Sequence, residues 1–266
     1  MIAEWGLYLL TGAVAGVMAG LLGVGGGLVI VPALVFAFAA RGFDASVLMH
    51  LALGTSLASI VFTSLSSLRA HHARGAVRWD VVQGLTPGIV AGTLGGAWLA
   101  GGLTAGLLRG IFVVFVFYVA TQMLLGFKPR PSRQLPPRAG LWGAGGVIGT
   151  VSSLVGIGGG TLTVPFLGYC NVGLHQAIGT SAAVGLPIAL AGSAGYVWAG
   201  WSQAGLPPGT LGFIHLPALA GVVVASVLTA PLGARLAHAL PVPALKRVFA
   251  GLLYLIGLKM AWGLWS

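Results

Sequence analysis

Two glycine clusters carry the residues whose type and spacing suit them for chemistry. Gly23-Val24-Gly25-Gly26-Gly27 is followed by Pro32, and Gly156-Ile157-Gly158-Gly159-Gly160 is followed, at the same interval, by Pro165. Each cluster interrupts an apolar run that otherwise reads as continuous helix. Glycine costs a helix about 1 kcal/mol per residue relative to alanine, so each helix should stop there and restart. A restarting helix bares backbone N–H groups at the positive end of its dipole, which suits an anion. Gly25, Gly26 and Gly27, with Gly158, Gly159 and Gly160, are therefore candidate binding residues. A second repeated stretch adds side-chain donors: His50-Leu51-Ala52-Leu53-Gly54-Thr55-Ser56 is matched by His175-Gln176-Ala177-Ile178-Gly179-Thr180-Ser181. Thr55, Ser56, Thr180 and Ser181 offer hydroxyls, and His50 and His175 offer imidazoles able to donate to an anion or carry a proton. Plainer roles stand beside these. The hydroxyls can bond carbonyls one turn back, and the histidines can cap or anchor the starts of their spans.

What is missing argues the sign of the ligand. The chain has three carboxylates, Glu4, Asp44 and Asp80, each terminal or in a loop. A cation held within lipid needs a buried counter-charge, and none of these is placed to supply it. Neutral donors suit a small oxyanion, which they bind without trapping.

The surroundings of these residues are membrane. Of 266 residues 57% are hydrophobic and 6% charged, with a mean hydropathy of +1.00, outside the range of soluble domains. The expected fold is all-α, a polytopic membrane protein with helices broken at the glycine clusters. Residues 1–126 form a first transmembrane repeat, 127–138 a basic linker and 139–266 a second repeat. In the first repeat, apolar stretches cover residues 5–22, 28–40, 47–68, 81–99 and 107–126. In the second they begin at 140–155, 161–170, 174–199 and 211–232. Residues 1–20 carry Glu4 and no basic leader, so they read as a retained span. Gly12, Gly16 and Gly20 are spaced for close helix packing. Trp5, Trp142, Trp201, Trp262 and Trp265 fall at span ends as interface anchors. The net charge of +10 does not imply nucleic acid, because its basic residues are scattered between apolar runs. One cysteine, Cys170, excludes disulfide frameworks and cysteine metal sites, and no cofactor is expected. No zinc-protease or serine-hydrolase motif and no intramembrane general base is present, so an enzyme is not expected.

Charge placement orients the repeats. Arg69, Arg74 and Arg78, then Lys128, Arg130, Arg133 and Arg138, then Arg235, Lys246 and Arg247 all belong in the cytoplasm by the positive-inside rule. An odd number of crossings per half satisfies this, the short segment after each glycine cluster counting as one, so the second copy is inverted relative to the first. Arg41, Arg109 and Lys259 then lie toward the outer face. An eight-span count with the clusters as re-entrant loops puts the last basic group outside instead. Inverted halves with broken helices meeting at midplane are the architecture of secondary transporters.

At residues 23–32 with 50–56, repeated at 156–165 with 175–181, the chain is similar to the sulfite exporter TauE/SafE family. The resemblance covers nearly the whole length, including the basic linker. It implies a multi-pass permease of the bacterial cytoplasmic membrane for small inorganic or organic sulfur anions, such as sulfite or sulfonates, working as a secondary transporter. The sulfur comes from the resemblance alone. A coupling proton would have to use His50, His175 or Tyr196, whereas a sodium ion would sit on backbone carbonyls at the breaks; uniport needs neither. Membrane lipid is the other expected partner. The alternative reading is a non-transporting assembly or scaffold protein whose repeats serve packing.

Overall fold

The computed structural model describes residues 2–22, 26–125, 133–239 and 242–263. Five helices precede the linker: α1 (Ile2–Leu22), α2 (Gly27–Ala40), α3 (Leu48–Ala73), α4 (Trp79–Gly102) and α5 (Ala105–Leu124). Five follow it: α6 (Arg138–Val155), α7 (Gly160–Tyr169), α8 (Leu174–Gly200), α9 (Leu216–Ala239) and α10 (Val242–Trp262). Between α8 and α9 lies a small antiparallel pair, β1 (Thr210–Leu211) and β2 (Ile214–His215). By length and composition, α3, α5 and α8 can cross a membrane, and α2 is among the shorter apolar helices. Large apolar side chains stand on the outside, among them Trp98, Val114, Trp198, Leu228, Val248 and Trp262. Such a surface suits lipid rather than water.

Two boundaries differ from the sequence expectation. The basic stretch from Arg69 to His72 lies past the apolar stretch expected to end at residue 68 yet belongs to the last turns of α3, where cationic side chains complement the carbonyl end of the helix. The span expected from residue 211 begins instead at Leu216. Residues 210–215 turn back as strands, with Gly209 at φ 81° and Gly212 at φ 53° supplying the left-handed backbone that a helix forbids.

The helices break where glycine adopts that same backbone. Gly26 at φ 70° and Gly159 at φ 77° are the residues just before α2 and α7. Pro32 and Pro165 fall six residues into those helices, at matching positions. Lacking N–H groups, they leave the Leu28 and Thr161 carbonyls without their usual helical donors.

Each broken pair doubles back. The Arg41 guanidinium, just past α2, donates to Tyr8 Oη in the early turns of α1 at 2.9 Å. The Arg133 N–H, ahead of α6, donates to the carbonyl of Tyr169 at the end of α7 at 3.3 Å. Thus α1–α2 and α6–α7 are helical hairpins with the glycine clusters at their tips. They enter from opposite ends of the bundle. The α6–α7 hairpin opens beside the start of α4, where Leu141 meets Gly84, and the α1–α2 hairpin opens beside the start of α9, where Tyr8 meets Gly221. The start of α4 lies by the start of α8, as the Arg78 N–H bonds Thr180, while Phe213 lies by the end of α8, its N–H bonding the Tyr196 carbonyl.

The two hairpins use one packing scheme. α1 packs along α9 and α6 along α4, and small residues set the distance. A Cβ on Gly12 or Gly16 would lie 2.5 Å from the carbonyls of Val222 and Ser226; on Gly145 or Gly149 it would lie 2.4 and 2.5 Å from those of Leu85 and Ile89. These contacts match residue for residue at one interval between α1 and α6 and another between α4 and α9. α3 and α8 cross the centre, packed on each other.

Glycine-mediated contact yields a paired prediction. Gly92→Ala drives a methyl to within 2.1 Å of the Gly146 carbonyl, whereas a Cβ on Gly95 meets nothing within 4 Å. In detergent, Gly92→Ala should lower the Tm by an amount corresponding to about 1–3 kcal/mol. Gly95→Ala should leave it unchanged or raised by the helix-propensity gain. Equal melting of the two variants would contradict the packing.

Candidate functional site

The glycine clusters meet. A Cβ on Gly27 would lie 2.4 Å from the Gly156 carbonyl oxygen and 3.0 Å from Ile157 Cα, so the start of α2 rests on the tip of the other hairpin. Gly26, Gly27, Gly156, Ile157, Gly158 and Gly159 are buried, and Gly160 is partly so; Gly25 lies outside the described residues. Neither Gly26 nor Gly159 has a side chain to cap the helix it precedes. In α7 the Leu162 and Thr163 N–H groups reach the Gly159 carbonyl at 3.1 and 2.7 Å, and in α2 the Val29 and Ile30 N–H groups reach that of Gly26 at 3.0 Å. The N–H groups of the first two residues in each helix, Gly27 and Leu28 in one and Gly160 and Thr161 in the other, lie ahead of these bonds. By contrast the end of α6 is capped. Gly156, at φ 71°, and Ile157 both turn their N–H groups back to the Ser152 carbonyl, and Ser56 Oγ donates to the Gly156 carbonyl at 2.8 Å.

The repeated Gly-Thr-Ser triplets brace this meeting point. Thr55 Oγ1 accepts the His215 N–H at 3.0 Å, and Thr180 Oγ1 accepts the Arg78 N–H at 3.0 Å. Gly54 and Gly179 admit the carbonyls of Phe213 and Ala76, each 2.4 Å from where a Cβ would stand. The two threonines therefore do the same work, tying a central helix to the chain entering α9 or α4. Ser181 is buried on α8.

The two histidines are not equivalent. His50 is buried, and its Nε2–H is shared between the carbonyls of Ala100 and Leu103 at 3.0 and 3.1 Å. Its ring stacks on Phe213 at 4.9 Å, and Nδ1 has no partner. It therefore pins the start of α3 to the α4–α5 turn, about 9 Å along the helix from Ser56. His175 is exposed at the start of α8. Tyr196 is buried and donates to the Ser153 carbonyl at 3.0 Å.

Several residues were not singled out by sequence. His215 is buried against Tyr8, Phe38 and Phe43, with ring centroids 5.3–5.8 Å away, and its Nδ1 accepts the Ala218 N–H at 3.2 Å. The other group is a set of hydroxyls. Buried serines here commonly donate to the backbone, as Ser59 does to Ser56 at 2.7 Å. Thr93, Ser152, Thr161 and Thr163 are buried without any partner. Thr161 and Thr163 directly follow the second glycine cluster, a Gly-Thr-x-Thr pattern that could have marked them. The described carboxylates are elsewhere: Asp80 pairs with Arg78, and Asp44 accepts the Ser46 N–H at 2.8 Å, which holds its carboxyl below the usual range. Both are exposed in or beside loops.

Comparison with known proteins follows the same lines. The family model described as sulfite exporter TauE/SafE matches residues 8–260, from Tyr8 on the first hairpin to α10. The chain belongs to the TauE/SafE family. A "Probable membrane transporter protein" of Haemophilus influenzae is 40% identical over 256 residues, covering 96% of this chain and 97% of its own. The "Probable membrane transporter protein YdhB" of Bacillus subtilis is 28% identical, covering 90% and 93% of the two chains. Another "Probable membrane transporter protein", from Methanocaldococcus jannaschii, is 23% identical over 96% of this chain and 94% of its own. No solved structure matches the chain. As a TauE/SafE member this protein is a membrane transporter, not an enzyme.

If the triplet threonines are braces in both halves, Thr55→Val and Thr180→Val should each lower stability by about 1–2 kcal/mol, and Thr55→Ser should restore most of it. Thermal unfolding of the purified protein checks this. A loss at one threonine alone would contradict the shared role.

Proposed function

We propose that this TauE/SafE protein is a secondary transporter of small sulfur-containing anions, such as sulfite or organosulfonates, in the bacterial cytoplasmic membrane, and that it binds them where the two hairpin tips meet. The observation that carries the reading is the contact of Gly27 with Gly156: two helix starts without side-chain caps share one buried place. Helix α7, ten residues long, spans about 15 Å, and a hydrocarbon core is about 30 Å thick, so a hairpin of that depth ends near midplane. An anion there is drawn by two positive dipole ends and by N–H groups free to turn to it.

The reading includes an inverted repeat. Matched contacts of α1 with α9 and α6 with α4, and hairpins entering from opposite ends, favour it. The ends of α3 and α7 and the starts of α4, α6 and α8 gather at one end of the bundle, with Arg69, Arg74, Arg78, Arg133 and Arg138 among them; that end is cytoplasmic by the positive-inside rule. At the other end Arg41 lies over Phe43 at 4.9 Å, Arg109 donates to the Gly263 carbonyl at 2.6 Å, and Lys259 lies over Phe36 at 4.5 Å. Each of these cations has a local partner, which eases the strain of placing them outside. Rocking of the halves around the tips would expose the site alternately to each face. For a coupling sodium ion, the proline-freed carbonyls of Leu28 and Thr161 are the available ligands; a proton route would start from His50, whose imidazole is buried beside the α4–α5 turn.

Reconstitution in proteoliposomes tests the reading, with sulfite and methanesulfonate fluxes measured under imposed proton, sodium and voltage gradients. Flux above that of empty vesicles is expected, and Gly26→Val and Gly159→Val should abolish it while the protein still inserts, because a β-branched residue is strained at positive φ. Unchanged flux in both variants would overturn the site, and no flux of either anion by the unaltered protein would overturn the function.

A further inference from the structure

Gly26 and Gly159 share a left-handed backbone, but the residue types around them differ between the two hairpins. Ser152, Thr161 and Thr163 surround the second tip, on the last turn of α6 and the first turns of α7. The residues at the matching positions of the first hairpin are Ala19, Leu28 and Ile30, none of which has a hydroxyl. All three hydroxyls of the second tip are buried and lack a partner. Thr163 Oγ1 stands 3.5 Å from where a Cβ on Gly159 would lie, which aims it at the uncapped start of α7. Thr93 Oγ1, also unpartnered, stands against Gly149, about one turn before Ser152 on α6. Unsatisfied buried hydroxyls are costly, and four on three adjoining elements mark a place where something else completes their bonds. On the facing side Val31 of α2 lies by Gly156, and Ile157 of the second tip lies by Gly27.

Resting on the transporter reading above, we propose that the second hairpin supplies the side-chain donors to the anion, the hydroxyls of Ser152, Thr161 and Thr163 beside the Gly160 and Thr161 N–H groups, while the first hairpin meets it with backbone alone, the Gly27 and Leu28 N–H groups. The side-chain grip is thus one-sided, and it suits a head that turns several oxygens to one side, as sulfite or an alkylsulfonate does.

Half-saturation of proteoliposome uptake, measured for sulfite and methanesulfonate, tests this. Thr163→Val and Ser152→Ala should each raise the half-saturating concentration of sulfite and methanesulfonate at least about tenfold, the loss of a hydrogen bond to a charged group. Thr163→Ser should restore it to within about threefold. The first-hairpin twin Ile30→Val, and Ser193→Ala, whose hydroxyl bonds the Ala189 carbonyl, should stay near the unaltered value. Transport by the unaltered protein with no effect of Thr163→Val and Ser152→Ala would overturn the one-sided grip and leave the transporter reading standing. Failure of the unaltered protein to move either anion would overturn both.

Discussion

Everything in this bundle turns on what happens to backbone N–H groups where a helix begins inside an apolar protein. A helix start leaves its first amides without intrahelical acceptors, and burial away from water makes each of them expensive. Most buried helix starts end that expense with a serine, threonine or aspartate cap. Here glycine occupies the cap position in both short helices, at Gly26 and Gly159, and no side chain serves. Opposite polarity is treated differently: the carbonyl end of α6 is closed by its own Gly156 and Ile157 amides and by Ser56. The negative helix end is thus silenced and the positive ends are left open, and the proposed anion site rests on that imbalance.

The rest of the molecule holds this pair of tips in register. Short helices cannot fix their own depth, so each hairpin leans on a long helix through glycine contacts close enough to exclude a methyl group, and α3 with α8 crosses between them. Thr55 and Thr180 repeat one brace in both halves. Where the halves diverge, the divergence is chemical: Arg78 occupies at the basic end the place that the buried ring of His215 occupies at the other, and unpartnered hydroxyls gather, among the described residues, at the second tip. On the proposed reading, a duplicated scaffold keeps its geometry while its two tips take different shares of one ligand.

Much of this was legible in the chain. Glycine clusters with proline at a fixed distance mark where α1 gives way to α2 and α6 to α7, because few residues tolerate positive φ, and the repeated Gly-Thr-Ser triplets are what the proposed repeat is read from. The short segments after the breaks were read as crossings of their own, and the structure gives the reason they are short: each returns to the end from which its hairpin came. Sequence could not show that return, since it depends on contacts such as Arg41 with Tyr8 and Arg133 with Tyr169 that join residues from different elements. Nor could it separate His50 from His175. Their local sequences match, yet one ring is enclosed by the α4–α5 turn and the other is exposed. Sequence marks Thr161 and Thr163 only through the Gly-Thr-x-Thr pattern after the second cluster, and Ser152 not at all; their lack of partners is a matter of three-dimensional contact.

Anomalous diffraction from crystals soaked in selenite, a heavier analogue of sulfite, addresses the central claim most directly. The account predicts a selenium peak between the hairpin tips, within hydrogen-bond reach of the Gly160 and Thr161 amides. Selenium bound only on the outer surface of the bundle, in crystals of protein that carries sulfite across vesicles, would contradict it.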